Sequence, residues 1–303
     1  MAQDNKDKPE TTESGHDDHG HDDHAPVLRD ALRLGKSGDL LIQVSGGVGL
    51  VALLASVALG GGPTGKEFQH AYLAAYMWGL AIALGALFWV TLQHLFNAKW
   101  SIVVRRLGEL FASSWFALFL LALPIIYPLA VHDDVLYPWA NDAYMQSNHA
   151  LHSKAGYLNS IAFFIRMGVY FLFWGFFGRF LLESSKKQEA GNGAKIAQKL
   201  QSASAPGMIG VALTLTFAAF DLLMSLDPIF FSTIFGVYYL ASCVLTFMST
   251  LALASMWLQS KGVLASAITR EHYHDIGKMM FGFTAFWSYV GFSQFMLIWY
   301  ANI

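Results

Sequence analysis

Seven apolar runs dominate the chain, at 40–59, 72–96, 110–131, 157–182, 206–226, 229–258 and 279–300. Each is close to the ~20 helical residues that cross ~30 Å of hydrocarbon. Lipid offers no partner to an exposed backbone, so runs of this length cross as helices. The pattern therefore predicts an all-α membrane protein, a multi-pass helix bundle with seven spans. The first run is rich in Gly and Ala, which predicts close helix contact there. The third carries Pro124 and Pro128 in its outer half. The sixth is long enough to tilt or protrude.

The polar intervals set the organisation. Residues 1–26 are an acidic, low-complexity stretch with alternating His and Asp from His16 to His24. It has too little apolar surface to fold and is expected to be a disordered tail. His and Asp also suit zinc, nickel or copper, so a metal-binding tail stands beside a solvated one. No apolar core follows a basic start near the N-terminus, so no secretory signal is expected. Residues 27–38 mix Val and Leu with Arg and Asp and read as an amphipathic surface segment. The bundle occupies 39–303.

Lys and Arg fix the expected orientation. Sixteen of them fall in the N-terminal tail and the even-numbered loops, and only Lys66 and Lys154 fall on the other side. The positive-inside rule then places the N-terminus and those loops in the cytoplasm. The large outer loop, 132–156, holds Tyr137, Pro138, Trp139 and Tyr144, which read as interface anchors or as a docking surface. The inner loop, 183–205, contains AKIAQKLQSA, which reads as a surface helix.

Composition narrows the chemistry. Hydrophobic residues make up 55% of the chain and charged residues 13%, about half the charge of a soluble domain. A net charge of −2 gives no sign of nucleic acid as a partner. The single cysteine, Cys243, excludes an internal disulfide, a four-cysteine iron–sulfur site and a CxxCH haem attachment. Any such metal centre would belong to another chain.

Polar groups inside a bilayer are costly and therefore informative. Arg166 lies roughly 13 Å into the fourth run and Asp221 about 8 Å into the fifth, depths at which they could pair. Alone, Asp221 could carry a proton; paired with Arg166, it would stay ionised. Both readings stand at this point, as do a structural and a functional role for Arg166. Asp227, before Pro228, reads as a turn and cap residue. His70 and His94 lie about 36 Å apart along one helix and cannot share a haem. No other run contains a histidine, so no haem and no other cofactor is expected on this chain. Each of these His is an interfacial hydrogen bonder or a group for proton uptake or release. Gln294, with Ser288, Ser293, Thr214 and Thr216, could glue helices together or line a wet path. His272 and His274 stand at the mouth of the seventh run as a polar cap or a proton-collecting mouth. Their i, i+2 spacing separates them around a helix and speaks against a shared metal.

Three stretches are specific in combination: FQHAYLAAYMWGLAIALGALFWVTLQHLFNAKWSIVVRR at 68–106, FDLLMSLDPIFFSTIFGVYYLAS at 220–242, and HYHDIGKMMFGFTAFWSYVGFSQFMLIWYANI at 272–303. They resemble the ActF family, the NrfD-like membrane subunits of bacterial alternative complex III, over roughly residues 39–303. The resemblance implies four-helix-bundle architecture in a bacterial inner membrane, within a respiratory quinol:electron acceptor oxidoreductase. Its implied partners are an ActC-like membrane subunit, a multihaem cytochrome c subunit, an iron–sulfur subunit and other small membrane subunits, with lipid around them. Quinol, haem c and iron–sulfur clusters would be handled by those partners. This chain would scaffold and conduct protons, with Asp221, Arg166, His94, His70, His272, His274, Asp227 and Gln294 as path candidates. The family has ten helices, so the seven runs would be part of a larger helix set. The residues leave other readings open: a quinol-binding subunit, a purely structural anchor, or a metal transporter, the last weakened by the scattered Met224, Met248 and Met296.

Overall fold

In a computed structural model, residues 35–302 are described except 132–133, 147–148, 190–192 and 266. The expected tail at 1–26 and most of the segment at 27–38 lie outside the described residues. The described chain is all helix, turn and loop. The long helices are α1 (Lys36–Leu59), α2 (Lys66–Leu95), α3 (Ile102–Ala112), α4 (Trp115–Ala130), α7 (Ser160–Glu189), α8 (Gly193–Leu222), α9 (Phe235–Ser260) and α10 (Arg270–Ala301). Two short ones, α5 (Asp142–Gln146) and α6 (His149–His152), sit in the loop between α4 and α7. Six segments, counting Ile102–Ala130 as one, are long and apolar enough to cross a membrane. The chain is thus a multi-pass membrane protein by length and composition. The helix α10 is long enough but is not among the six. Its apolar stretch is built on Phe, Trp, Tyr, Gly and Ser more than on Leu, Ile and Val.

The bundle is organised around α2, which packs on α3, α4, α8 and α9. Its Leu80, Ala86, Trp89 and Val90 have no exposed surface. Because α7 packs against α3, α4 and α8 in turn, α2, α3–α4, α7 and α8 close a ring of four. On the seam of α2 and α8 lies α9, which packs along α10, and α10 also reaches α2, where Trp89 Nε1 donates to Met279 Sδ at 3.4 Å. Contact between α2 and α9 is close at Gly85, where a side chain would run into the Cys243 carbonyl and the Phe247 Cβ. Only glycine permits that approach of two backbones.

Several expectations change. The third run begins earlier, at Ile102, and is broken at Ser113–Ser114 into α3 and α4. Ser113 and Ser114 donate to the carbonyls of Leu110 and Phe111 and satisfy part of the interrupted ladder. The stretch AKIAQKLQSA is no separate surface helix: α8 runs through it and through Pro206. The sixth helix starts at Phe235, because Asp227 and Pro228 hold the preceding residues in a turn. The glycines of α1 make no close helix contact: Gly46, Gly47 and Gly49 face open space, and no residue of α1 is buried. Tyr137 and Trp139 are buried rather than displayed for docking.

The prolines of α4 explain one buried polar residue. Pro128 has no N–H, so the Pro124 carbonyl one turn earlier lacks its helical donor. The fully buried Gln69 of α2 supplies one, with Nε2 3.1 Å from that oxygen. A sequence cost in one helix is thereby met by a side chain from its neighbour.

Candidate functional site

Two clusters of buried charge lie at opposite ends of the bundle. The outer one, at the end away from the basic loops, joins α7 to α8. Asp221 is completely buried near the C-terminus of α8. Arg166, one turn and a half into α7, reaches it with two hydrogen bonds: Nε donates to Oδ2 and Nη2 to Oδ1, each at 2.9 Å. This fork-on-fork geometry is the strongest arrangement of the two groups. Tyr170, one turn further along α7, donates to Oδ2 at 2.8 Å. Both carboxylate oxygens are thus occupied by donors.

The pair extends into the outer loop. Arg166 Nη1 donates to the Tyr157 carbonyl at 2.9 Å, and its guanidinium lies 3.9 Å from the Tyr157 ring centroid. Ser225, in the turn after α8, donates to the Asp221 carbonyl. Tyr137 donates to the Leu222 carbonyl at 3.3 Å and packs with Trp139 and Phe163, all three rings within 5.7 Å of one another by centroid. Burial, with the Asp221 charge added, pushes the phenols of Tyr137 and Tyr157 above the usual tyrosine range, so both remain neutral donors.

Beside this cluster a cleft of about 300 Å³ is walled by Tyr157, Phe220, Met224 and Phe231. At its rim, Lys154 donates to the Pro228 carbonyl at 2.6 Å. Asp227 is exposed and acts in the turn, its Oδ1 accepting the Ile229 N–H at 3.0 Å. Gln294 is tied to the same region of the chain, accepting from the Ser232 hydroxyl at 2.7 Å. Thr214 serves as glue, accepting from Trp174 Nε1 at 2.9 Å.

The inner cluster centres on Glu109 of α3, which is 1% exposed. Arg106 donates to its Oε2 at 3.0 Å, and Arg105 Nε stands 3.7 Å from Oε1. His94, buried at the C-terminal end of α2, places Nε2 3.4 Å from the same Oε1 without hydrogen-bond geometry. A cleft of about 220 Å³ reaches this group between Ile102, Arg105, Ser185 and Gln188. Unlike Asp221, Glu109 keeps one oxygen without a hydrogen-bonding partner.

The structure therefore brings Arg166 and Asp221 together, as their depths allow. It separates the histidines. His70 is exposed in the first turn of α2, with Nδ1 2.8 Å from the Lys66 carbonyl. His272 caps α10 by accepting the Thr269 N–H at 3.2 Å. His274 is exposed. His94 instead faces Glu109, and His272 is bonded to Thr269. Sequence reasoning missed Glu109, which sits at the edge of an apolar run. Its signal was the spacing of Arg105, Arg106 and Glu109, which share one helix face at i, i+3 and i, i+4. Tyr157 and Tyr170 were missed because aromatic residues are ordinary in a span.

No protein-family model and no curated protein sequence matches the chain.

Removing one partner of a buried pair leaves the other charge uncompensated. Arg166→Met is expected to lower stability by about 3–5 kcal/mol. Arg166→Met combined with Asp221→Leu is expected to recover most of that loss, because no buried charge remains. Unfolding in detergent reads both. A double variant that loses the sum of the two single losses would contradict the pairing.

Proposed function

We propose that the chain is an NrfD-like membrane subunit of a respiratory quinol:acceptor oxidoreductase of the alternative complex III type. It carries no redox centre and holds the redox subunits in place. The helix α10 serves as a seventh span, its Phe281, Phe292, Phe295 and Trp299 directed outward. The observation that carries this reading is the Arg166–Asp221 knot. Its carboxylate is saturated with donors, and its contacts run outward into Tyr157 and the turn at Ser225. Such a group fixes the outer end of the bundle, where partners bearing haem and iron–sulfur clusters would dock. Purification from native membranes through a tag on this chain tests it. A multihaem cytochrome c, an iron–sulfur protein and an ActC-like membrane subunit are expected in stoichiometric amounts. A chain recovered alone under mild detergent would contradict the reading.

A second reading, proton conduction, is favoured by a separate observation. Glu109 is buried, incompletely hydrogen-bonded, close to His94 and reached by a cleft from the basic end. That is the arrangement of a group that takes up and passes on a proton. In vesicles containing the assembled complex, Glu109→Gln is expected to reduce protons moved per quinol oxidised by about half or more. An unchanged ratio would remove Glu109 from any path.

A further inference from the structure

At the basic end of the bundle, α1 stands away from α9. A groove of about 460 Å³ separates them, lined by Leu40, Leu41, Val44 and Val48 of α1, by Trp257 of α9 and by Lys261 just after it. No residue of α1 is buried, and its packing on the bundle is through α2. The groove extends from Ser37 to Val48, about 16 Å along the helix, which matches half of a ~30 Å hydrocarbon core. Leu40, Leu41, Val44 and Val48 make its α1 wall mainly aliphatic, with Ser37 and Ser45 between them. Ser45 adds no free donor, since its hydroxyl lies against the Ile42 carbonyl.

The shape and the charge together select an occupant. A helical segment of this length, about 10 Å across, fills ~1,300 Å³, nearly three times the groove. A lipid acyl chain is narrow enough. At the mouth of the groove Lys261 is exposed at the end of α9, and among the described residues its ammonium pairs with no carboxylate. Trp257, one turn before it, is the residue type that settles at headgroup level.

We propose that this groove holds an acyl chain of one anionic glycerophospholipid of the inner leaflet, with its phosphate against Lys261. The lipid completes a wall of the bundle that α1 leaves open, and it ties α1 to α9.

The test is native mass spectrometry of the full chain, delipidated and then titrated with phosphatidylglycerol or phosphatidylcholine of identical acyl chains. The wild-type chain is expected to retain one phosphatidylglycerol, with about fivefold preference over phosphatidylcholine from the single lysine. Lys261→Glu should abolish the preference. Val44→Trp should fill the groove and remove the retained lipid, while the unfolding midpoint stays at or above that of the wild type. Equal retention of the two lipids, or a preference unchanged by Lys261→Glu, would overturn the proposal. A gain of lipid on removal of residues 1–34 would assign the groove to that segment and overturn it as well.

Discussion

A carboxylate with no access to solvent must be met by the protein itself, and around Asp221 the outer half of the bundle is arranged to do so. Arg166 supplies two hydrogen bonds and Tyr170 a third. Left unmatched, a buried charge would cost several kcal/mol. Satisfying it fixes the relative height of α7 and α8. It also draws in Tyr157, whose carbonyl and ring hold the guanidinium, and Ser225, which bonds the Asp221 carbonyl. Tyr137 and Trp139 close over the same corner. One ion pair thus links two spans, the approach to α7 and the turn after α8.

The two buried clusters differ in how completely their carboxylates are hydrogen-bonded. At Asp221 every oxygen has a strong donor, so an added proton would have to displace one. At Glu109 an oxygen faces His94 at 3.4 Å without a hydrogen bond, and a cleft opens toward the basic end. Saturation suits a fixed joint, and incompleteness suits exchange. On the proposed function, the outer cluster positions helices and Glu109 joins Asp221 as a candidate for proton traffic.

Much of the bundle was legible because lipid imposes length on apolar helices. Arg166 and Asp221 stood out for the same reason, since charge at depth is rare. What stayed hidden was set by neighbours. Glu109 looked like the border of a run until α2 brought His94 beside it. Gln69 meets a carbonyl orphaned by Pro128 on another helix, a pairing that no spacing within one helix could show. Tyr137 and Trp139 suggested a docking surface, but packing against Phe163 turns them inward. Pro206 suggested a helix start, whereas α8 continues through it, with the buried Leu200 and Ser204 packed before it.

On the proposed function, the Arg166–Asp221 pair holds the bundle for its partners and takes no part in the chemistry. Quinol oxidation by the purified, fully assembled complex carrying Arg166→Met and Asp221→Leu together tests this most directly. A positioning role predicts turnover within about twofold of the unmodified complex, with all subunits retained. Turnover lost at least tenfold in a complex that still holds every subunit would contradict it and return the pair to the reaction path.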